Sequence, residues 1–216
     1  FPTRRSSDLY LKNLELAPDL GRLTALMLSE MRSRGPDSAG FAVYGAAEGG
    51  AKLVLLAPAG EADWQTLATR LGKALGVEAE IAPVEDHAVL RVSGDGAAAR
   101  RWIIENAPEV TVLSVGRAIE VFKGIGEPDD VAGRFGLARR TGTHAIGHTR
   151  MATESAVTTA GSHPFSTGAD TCLVHNGSLS NHNRLRLTLE AAGERFQTEN
   201  DSEVAAGYLA HRMREG

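Results

Sequence analysis

Four short clusters carry residue types from which a reactive site could be built: Arg34-Gly-Pro-Asp-Ser38, Gly147-His-Thr-Arg150, His175-Asn-Gly177 and Asn200-Asp-Ser202. Each falls at an expected strand or helix end, where a rigid scaffold presents side chains. Taken singly, each also has a plain reading. Asn176-Gly177 is a common hairpin turn. Arg34-Gly-Pro-Asp37 stops a helix. Arg150 pairs with any available acid, and Asp201 caps a helix.

Other chemistries find less support. His144 and His148 are four residues apart, a metal-binding spacing on a helix, but their neighbours read as a strand. There the two rings would lie about 13 Å apart, too far to share an ion. His163, just before Pro164 in a loop, is open to a polar role. Cys172 is the only cysteine, which excludes a disulfide framework and a cysteine-rich zinc site. It alternates with Leu173 and Val174 in an expected strand and reads as a small core residue rather than a nucleophile. Glycine-rich dinucleotide and phosphate loops and a Gly-x-Ser-x-Gly elbow are all missing from the sequence.

The elements that must position these clusters follow from periodicity. An apolar stripe of Leu20, Leu23, Leu26, Met27, Leu28 and Met31 predicts a helix from Asp19 to Met31, stopped by Gly35-Pro36. Ala39–Tyr44 and Lys52–Leu56 read as two strands joined by a small-residue turn. Trp64–Leu75 is a second amphipathic helix. Residues 76–133 are less sharply patterned, with strands at His87–Val92 and Val110–Val115 and a helix at Ala97–Asn106. Asp129–Arg139 reads as one helix or two short turns. His144–Arg150 is a strand, Met151–Asp170 a loop and Thr171–His175 a short buried strand. Helices follow over Asn181–Ala192 and from Asp201 to about Met213, the last with acidic groups in its first turn.

The 216 residues suffice for one large domain or two small ones, and no linker-like stretch divides them. With 23 Lys and Arg against 27 Asp and Glu, a net charge of -4 argues against general nucleic-acid binding. No run of apolar residues is long enough to span a membrane, and a cytoplasmic location is expected.

In their order, the four clusters resemble the class II glutamine amidotransferase domain, an N-terminal-nucleophile hydrolase. The resemblance runs from about Tyr10 to Met213 and is carried by Gly147-His-Thr-Arg-Met-Ala-Thr153, His163-Pro164, His175-Asn-Gly177 and Asn200-Asp201. The long segment before Gly147 and the run from Thr149 to Thr159 look closest to stand-alone subunits related to glutamate synthase and N-methylglutamate synthase. The resemblance implies an α/β fold, a four-layer α/β/β/α sandwich, here expected to be incomplete at both ends. It implies hydrolysis of glutamine to glutamate, with ammonia passed to a synthase partner or within a homo-oligomer. Neither a metal nor a cofactor is implied.

The same resemblance distributes roles. An N-terminal cysteine attacks the glutamine amide, with its own α-amine, which titrates at about 7.7–8.0, as base. Asn176 and Gly177 supply the oxyanion hole, an uncharged side-chain donor beside a closely approaching backbone N–H. Arg150 forks onto the substrate carboxylate and Asp201 takes its ammonium. Thr153 and His163 match further pocket positions, and Arg34 supports the nucleophile end.

One departure bears on activity. Where the family has Cys-Gly-Ile-Val-Gly, this chain has Arg4-Arg-Ser-Ser-Asp8. Ser6 and Ser7 carry no free α-amine and cannot inherit the role. Residues 1–9 therefore read as a false start (a misread, a fragment boundary or adapter-like sequence), with the domain over 10–216 truncated at Gly216. The chain as written is expected to lack glutaminase activity; the alternative is a non-catalytic subunit that binds glutamine or another amino acid and regulates.

Overall fold

The computed structural model describes residues 6–47, 49–58, 60–151 and 157–216. Two four-stranded antiparallel sheets lie between helical layers, the expected α/β/β/α sandwich. The first sheet runs in the order β1 (Ser6–Tyr10), β8 (His144–Arg150), β2 (Ser38–Tyr44), β7 (Ile119–Ile125). The second runs β4 (Ala79–Val84), β5 (His87–Val92), β3 (Ala51–Leu56), β6 (Thr111–Gly116). Helices α1 (Leu20–Glu30) and α4 (Pro128–Arg134) cover the first sheet, and α2 (Trp64–Leu75) and α3 (Gly96–Asn106) the second. Helices α5 (His182–Ala191) and α6 (Asp201–Glu215) pack on each other.

The two-residue strand period explains the layering. On β3, Leu53 and Leu55 join Leu67, Leu71 and Ile103 of the covering helices, whereas Val54 and Leu56 join the core that holds Ile119, Val121 and Phe122 of β7. A buried ion pair also ties the sheets together: Lys52 Nζ on β3 donates to Glu120 Oε1 on β7 at 3.1 Å, and Arg140 reaches the other carboxylate oxygen. No helix among the described residues is long and apolar enough to cross a membrane.

Several expectations need correction. The strands expected at Ala39–Tyr44 and Lys52–Leu56 are present as β2 and β3, but they belong to different sheets, so the segment between them carries the chain from one sheet to the other. Of the expected α1 stripe, Leu20, Leu28 and Met31 are buried but Leu26 is exposed, and Gly21 and Thr24 are buried alongside. β4 and β7 escaped the periodicity reading. Asp129–Arg139 forms α4 and a 3-10 turn at Leu137–Arg139. Thr171–His175 is no strand, because Asp170 (φ 52°) turns the chain away, leaving one isolated bridge between Leu173 and Phe165. Cys172 is accordingly half-buried beside the core rather than inside a sheet.

β1 bears directly on the site. Despite its polar residues it pairs antiparallel with β8, Ser6 opposite His148 and Tyr10 opposite His144. Its N-terminal end therefore lies at the end of the sheet where β8 delivers Arg150. Residues 1–5 lie outside the described residues.

Candidate functional site

β8 carries Arg150 out of the sheet at the edge facing two other clusters. The Arg34–Ser38 segment lies alongside: Asp37 N donates to Arg150 O at 3.1 Å, and Pro36 bridges to Arg150. Arg34 itself ends a short 3-10 turn and is exposed. On its other side, Arg150 Nη1 donates to Gly161 O at 3.4 Å. Thr153 lies outside the described residues.

α6 brings the next cluster to the same place. Asn200 caps the helix, its side chain accepting from Ser202 N at 2.9 Å. Its Nδ2 donates to Gly161 O at 3.2 Å, so Asn200 and Arg150 converge on one carbonyl. The Glu203 carboxylate, in the first turn, accepts the N–H groups of Gln197 and Thr198 at 2.9 and 2.8 Å and fixes the approach to the helix.

Ser202 is the hub of the polar core. Its hydroxyl lies 2.9 Å from His163 Nε2 and 3.3 Å from His175 Nδ1, and donates to Asp201 Oδ1 at 3.3 Å. Asp201 Oδ2 accepts Leu179 N at 2.7 Å, which ties the loop after Asn176-Gly177 to the start of α6. A carboxylate has about four acceptor positions, so both bonds leave capacity for an ammonium. Gly177 lies against the His175 ring, where a Cβ would come 2.9 Å from Nε2. Asn176 and Gly177 are exposed.

His163 is 7% exposed and stacks on His148 with ring centroids 4.3 Å apart. Burial pushes its pKa far down, and the neighbouring His148, Lys123, Arg150 and His175 push the same way, so the ring is neutral. Gly40 makes room beneath it: a Cβ there would meet His163 O at 2.2 Å.

Below the loop lies a residue that the sequence reading did not single out. Lys123, on β7, is 2% exposed, and its Nζ donates to the carbonyl oxygens of Ala160, Ser162 and Pro164 at 2.9, 2.8 and 3.4 Å. The ammonium also sits 4.4 Å from the centre of the Phe165 ring. Its signal in the sequence is a lysine next to Phe122 in the segment Ile119–Ile125, whose other charge is Glu120. Asn200 and Ser202 lay inside a recognised cluster, but their parts as tie and hub need the coordinates.

Of the predicted residues, Arg150, His163, Gly177 and Asp201 fall along one network, Arg150 to Gly161 to Asn200, then Asp201 to Ser202 to His163 and His175, with Gly177 against His175; Asn176 is exposed beside it. Arg34 stands at its margin. Among the described residues, no group of three or more His, Cys, Asp or Glu side chains could hold a metal. A cleft of about 1000 Å³ opens elsewhere between α3, α6 and the α5–α6 connection, bordered by Arg100, Arg117, Arg195 and Arg214. None of the predicted site residues lines it. Cys172 is likewise set apart: Tyr44 Oη donates to its Sγ at 3.4 Å, and burial raises its pKa, only partly offset by that bond.

Comparison with known proteins adds a second line of evidence. Residues 130–212 match the family model described as "Glutamine amidotransferase domain". The chain is 49% identical over 210 residues to "Glutamine amidotransferase-like protein GlxB" of Rhizobium meliloti (strain 1021), covering 96% of this chain and 69% of that protein. It is 33% identical over 202 residues to a "Putative glutamine amidotransferase" of Methanothermobacter thermautotrophicus, covering 88% of this chain and 66% of that one. The chain therefore spans about two thirds of the length of these relatives. A shorter match, 39% over 97 residues, is to the glutamine--fructose-6-phosphate aminotransferase of Thermus thermophilus, covering 44% of this chain and 16% of that enzyme.

Proposed function

The chain belongs to the class II glutamine amidotransferase family, and from that premise we propose that its network is a glutamine pocket serving a glutaminase reaction. Arg150 forks onto the α-carboxylate and Asp201 holds the α-ammonium, fixing the amino-acid end of the substrate. The side-chain amide then extends towards Asn176 and the Gly177 N–H, donors suited to the oxygen of a tetrahedral intermediate. His163 and Thr153 line the pocket, and Arg34 steadies its nucleophile end. The nucleophile itself, an N-terminal cysteine thiolate with its α-amine as base, would attack from the strand position of β1, whose start lies at the Arg150 end of the sheet. Ammonia would leave first, and water would then release glutamate from the thioester.

The observation that carries this reading is the shared Gly161 carbonyl. It joins the Arg150 side chain to the cap of the helix that begins at Asp201, and so sets the two charged ends of the clamp on one frame. Because Arg4-Arg-Ser-Ser-Asp8 stands where the family has its nucleophile, this reading predicts that the sequence binds glutamine without turning it over. Titration calorimetry tests the clamp: glutamine binds the unaltered protein, and Arg150→Ala weakens it at least tenfold. Equal binding by both proteins refutes the assignment. Placing Cys-Gly-Ile at positions 4–6 with a free N-terminal cysteine tests the chemistry through glutamate release.

Ammonia made at such a pocket is of use only if captured, so a synthase partner of the glutamate synthase or N-methylglutamate synthase type, or a homo-oligomer, accompanies this reading. A second reading is a regulatory subunit that senses glutamine or another amino acid without hydrolysis. It is favoured by the chain's one cysteine being Cys172, half-buried and hydrogen-bonded by Tyr44.

A further inference from the structure

Lys123 is a buried cation that the reaction does not use. It lies on β7, and its ammonium bonds to the loop that carries His163 rather than to a residue assigned to the substrate. A lysine ammonium has three N–H donors. Here three carbonyl oxygens face it, those of Ala160, Ser162 and Pro164. All three belong to one loop, and the two residues between them are the ones the pocket depends on. Gly161 lies between the first pair, and its carbonyl receives Arg150 and Asn200. His163 lies between the second pair, and its ring meets Ser202.

The carbonyls thus alternate along the loop. Those of residues 160, 162 and 164 turn inward to Lys123, while the carbonyl of residue 161 turns to the clamp. Within the loop itself, Ser162 N donates to Thr159 O at 3.1 Å, Gly161 N to Thr158 Oγ1 at 3.1 Å and Ser162 Oγ to Thr158 O at 2.9 Å. These local bonds shape a turn but do not attach it to the sheet. Lys123 does so from the first sheet, and Phe165, beneath the ammonium, closes the far side. A buried lysine is costly to keep, and the charge that supports it is that of Glu203, at the start of the same α6 that carries Asp201.

We propose that Lys123 is a positioning residue of the amino-acid clamp: it holds the loop so that the Gly161 carbonyl orients Arg150 and the His163 ring meets α6. This rests on the glutamine reading for its ligand, but the role of Lys123 in the loop can be measured without any ligand.

Two measurements on the full chain test it. The first is a double-mutant cycle on glutamine affinity with Lys123→Met and Arg150→Lys, the latter keeping the charge but losing the guanidinium fork. Lys123→Met alone weakens binding about tenfold, whereas in the Arg150→Lys background it weakens binding less than about threefold, because the two residues act through one carbonyl. Additive losses, or equal binding by Lys123→Met and the unaltered chain, overturn the proposal. The second is amide hydrogen exchange. Lys123→Met speeds exchange at Gly161 and Ser162 about tenfold or more while β5 stays protected; unchanged exchange at those two residues overturns the proposal. Should the unaltered chain fail to bind glutamine while the loop still loosens in Lys123→Met, the glutamine reading falls and the loop role stands. If Lys123→Met does not fold, Lys123→Gln, which keeps two N–H donors, is measured in the same way and shows a smaller effect of the same sign.

Discussion

Arg150 and Asn200, fifty residues apart in sequence, donate to the same acceptor, the carbonyl oxygen of Gly161, at 3.4 and 3.2 Å. A carbonyl oxygen has two lone pairs, so both bonds form together. Asn200 thereby has two separable duties, capping α6 through Oδ1 and holding Gly161 through Nδ2. Asn200→Asp keeps an excellent cap and loses the donor. Its urea midpoint is expected to shift by less than about 0.5 kcal/mol in free-energy terms, with glutamine affinity down severalfold. Asn200→Ala loses both and costs about 1–2 kcal/mol in the same unfolding experiment.

The second prediction concerns pH. Burial pushes the Lys123 ammonium down to about 7, with Glu203 pulling the other way. The other titratable groups around it, His87 of β5 and His163 of the loop, are themselves driven neutral by burial, and Lys123 adds to that drive. In the unfolded chain the lysine keeps its proton to about 10.4. Between these values the unfolded state binds the extra proton, so stability rises with pH, by up to about 1.4 kcal/mol per unit for one proton. The gain is complete above the unfolded value and is lost as pH falls through the folded one. Urea unfolding of the unaltered chain and Lys123→Met from pH 6 to 10 checks this, and the difference between them should carry the slope.

Asp170 gives a third. Its carboxylate accepts the N–H groups of Arg117, Ala118 and Ile119 at 2.8–3.0 Å and so holds the β6–β7 turn. Burial is the largest single influence and works to raise its pKa. The three N–H groups together with Lys52 outweigh it, and the net shift is downward. The stabilisation is therefore full above the ordinary carboxylate value of about 3.9 and disappears as pH falls through the lower folded value. Asp170→Ala strips the turn of its acceptor and is expected to cost about 3 kcal/mol by thermal or urea unfolding at pH 7.

Cys172 gives the fourth. Burial raises its pKa, and Tyr44 donates to its sulfur. Iodoacetamide at pH 8 should alkylate it many times more slowly in the folded chain than in urea, since the thiolate is the reactive form. Alkylation in the folded chain as fast as in urea would contradict this.

The parts of the fold that could be read locally were those closed by local signals. α2 has Asp63 at its start, accepting from Thr66 N, and Gly76 (φ 66°) at its end, and its observed bounds match the expected ones. β5 and β8 likewise have the expected bounds. β4 was hidden by Pro83 and its exposed edge position. β7 was hidden by Lys123, whose partners lie 37 to 41 residues downstream, beyond any periodicity window. The same holds for the site. The family resemblance singled out Arg150, His163 and Asp201, but the carbonyl and hydroxyl that join them, Gly161 and Ser202, are chemically ordinary until the chain is folded.

The anchoring of residues 160–164 on β7 has a practical consequence. Lys123 on β7 and Arg150 on β8 both hold residues 160–164 from the first sheet, so the pocket is complete only in molecules whose first sheet is assembled. Ligand affinity is then an assay of conformational quality: in a mixed preparation, the fraction of chains able to bind counts those with a correctly assembled sheet, a distinction that overall helix content would miss.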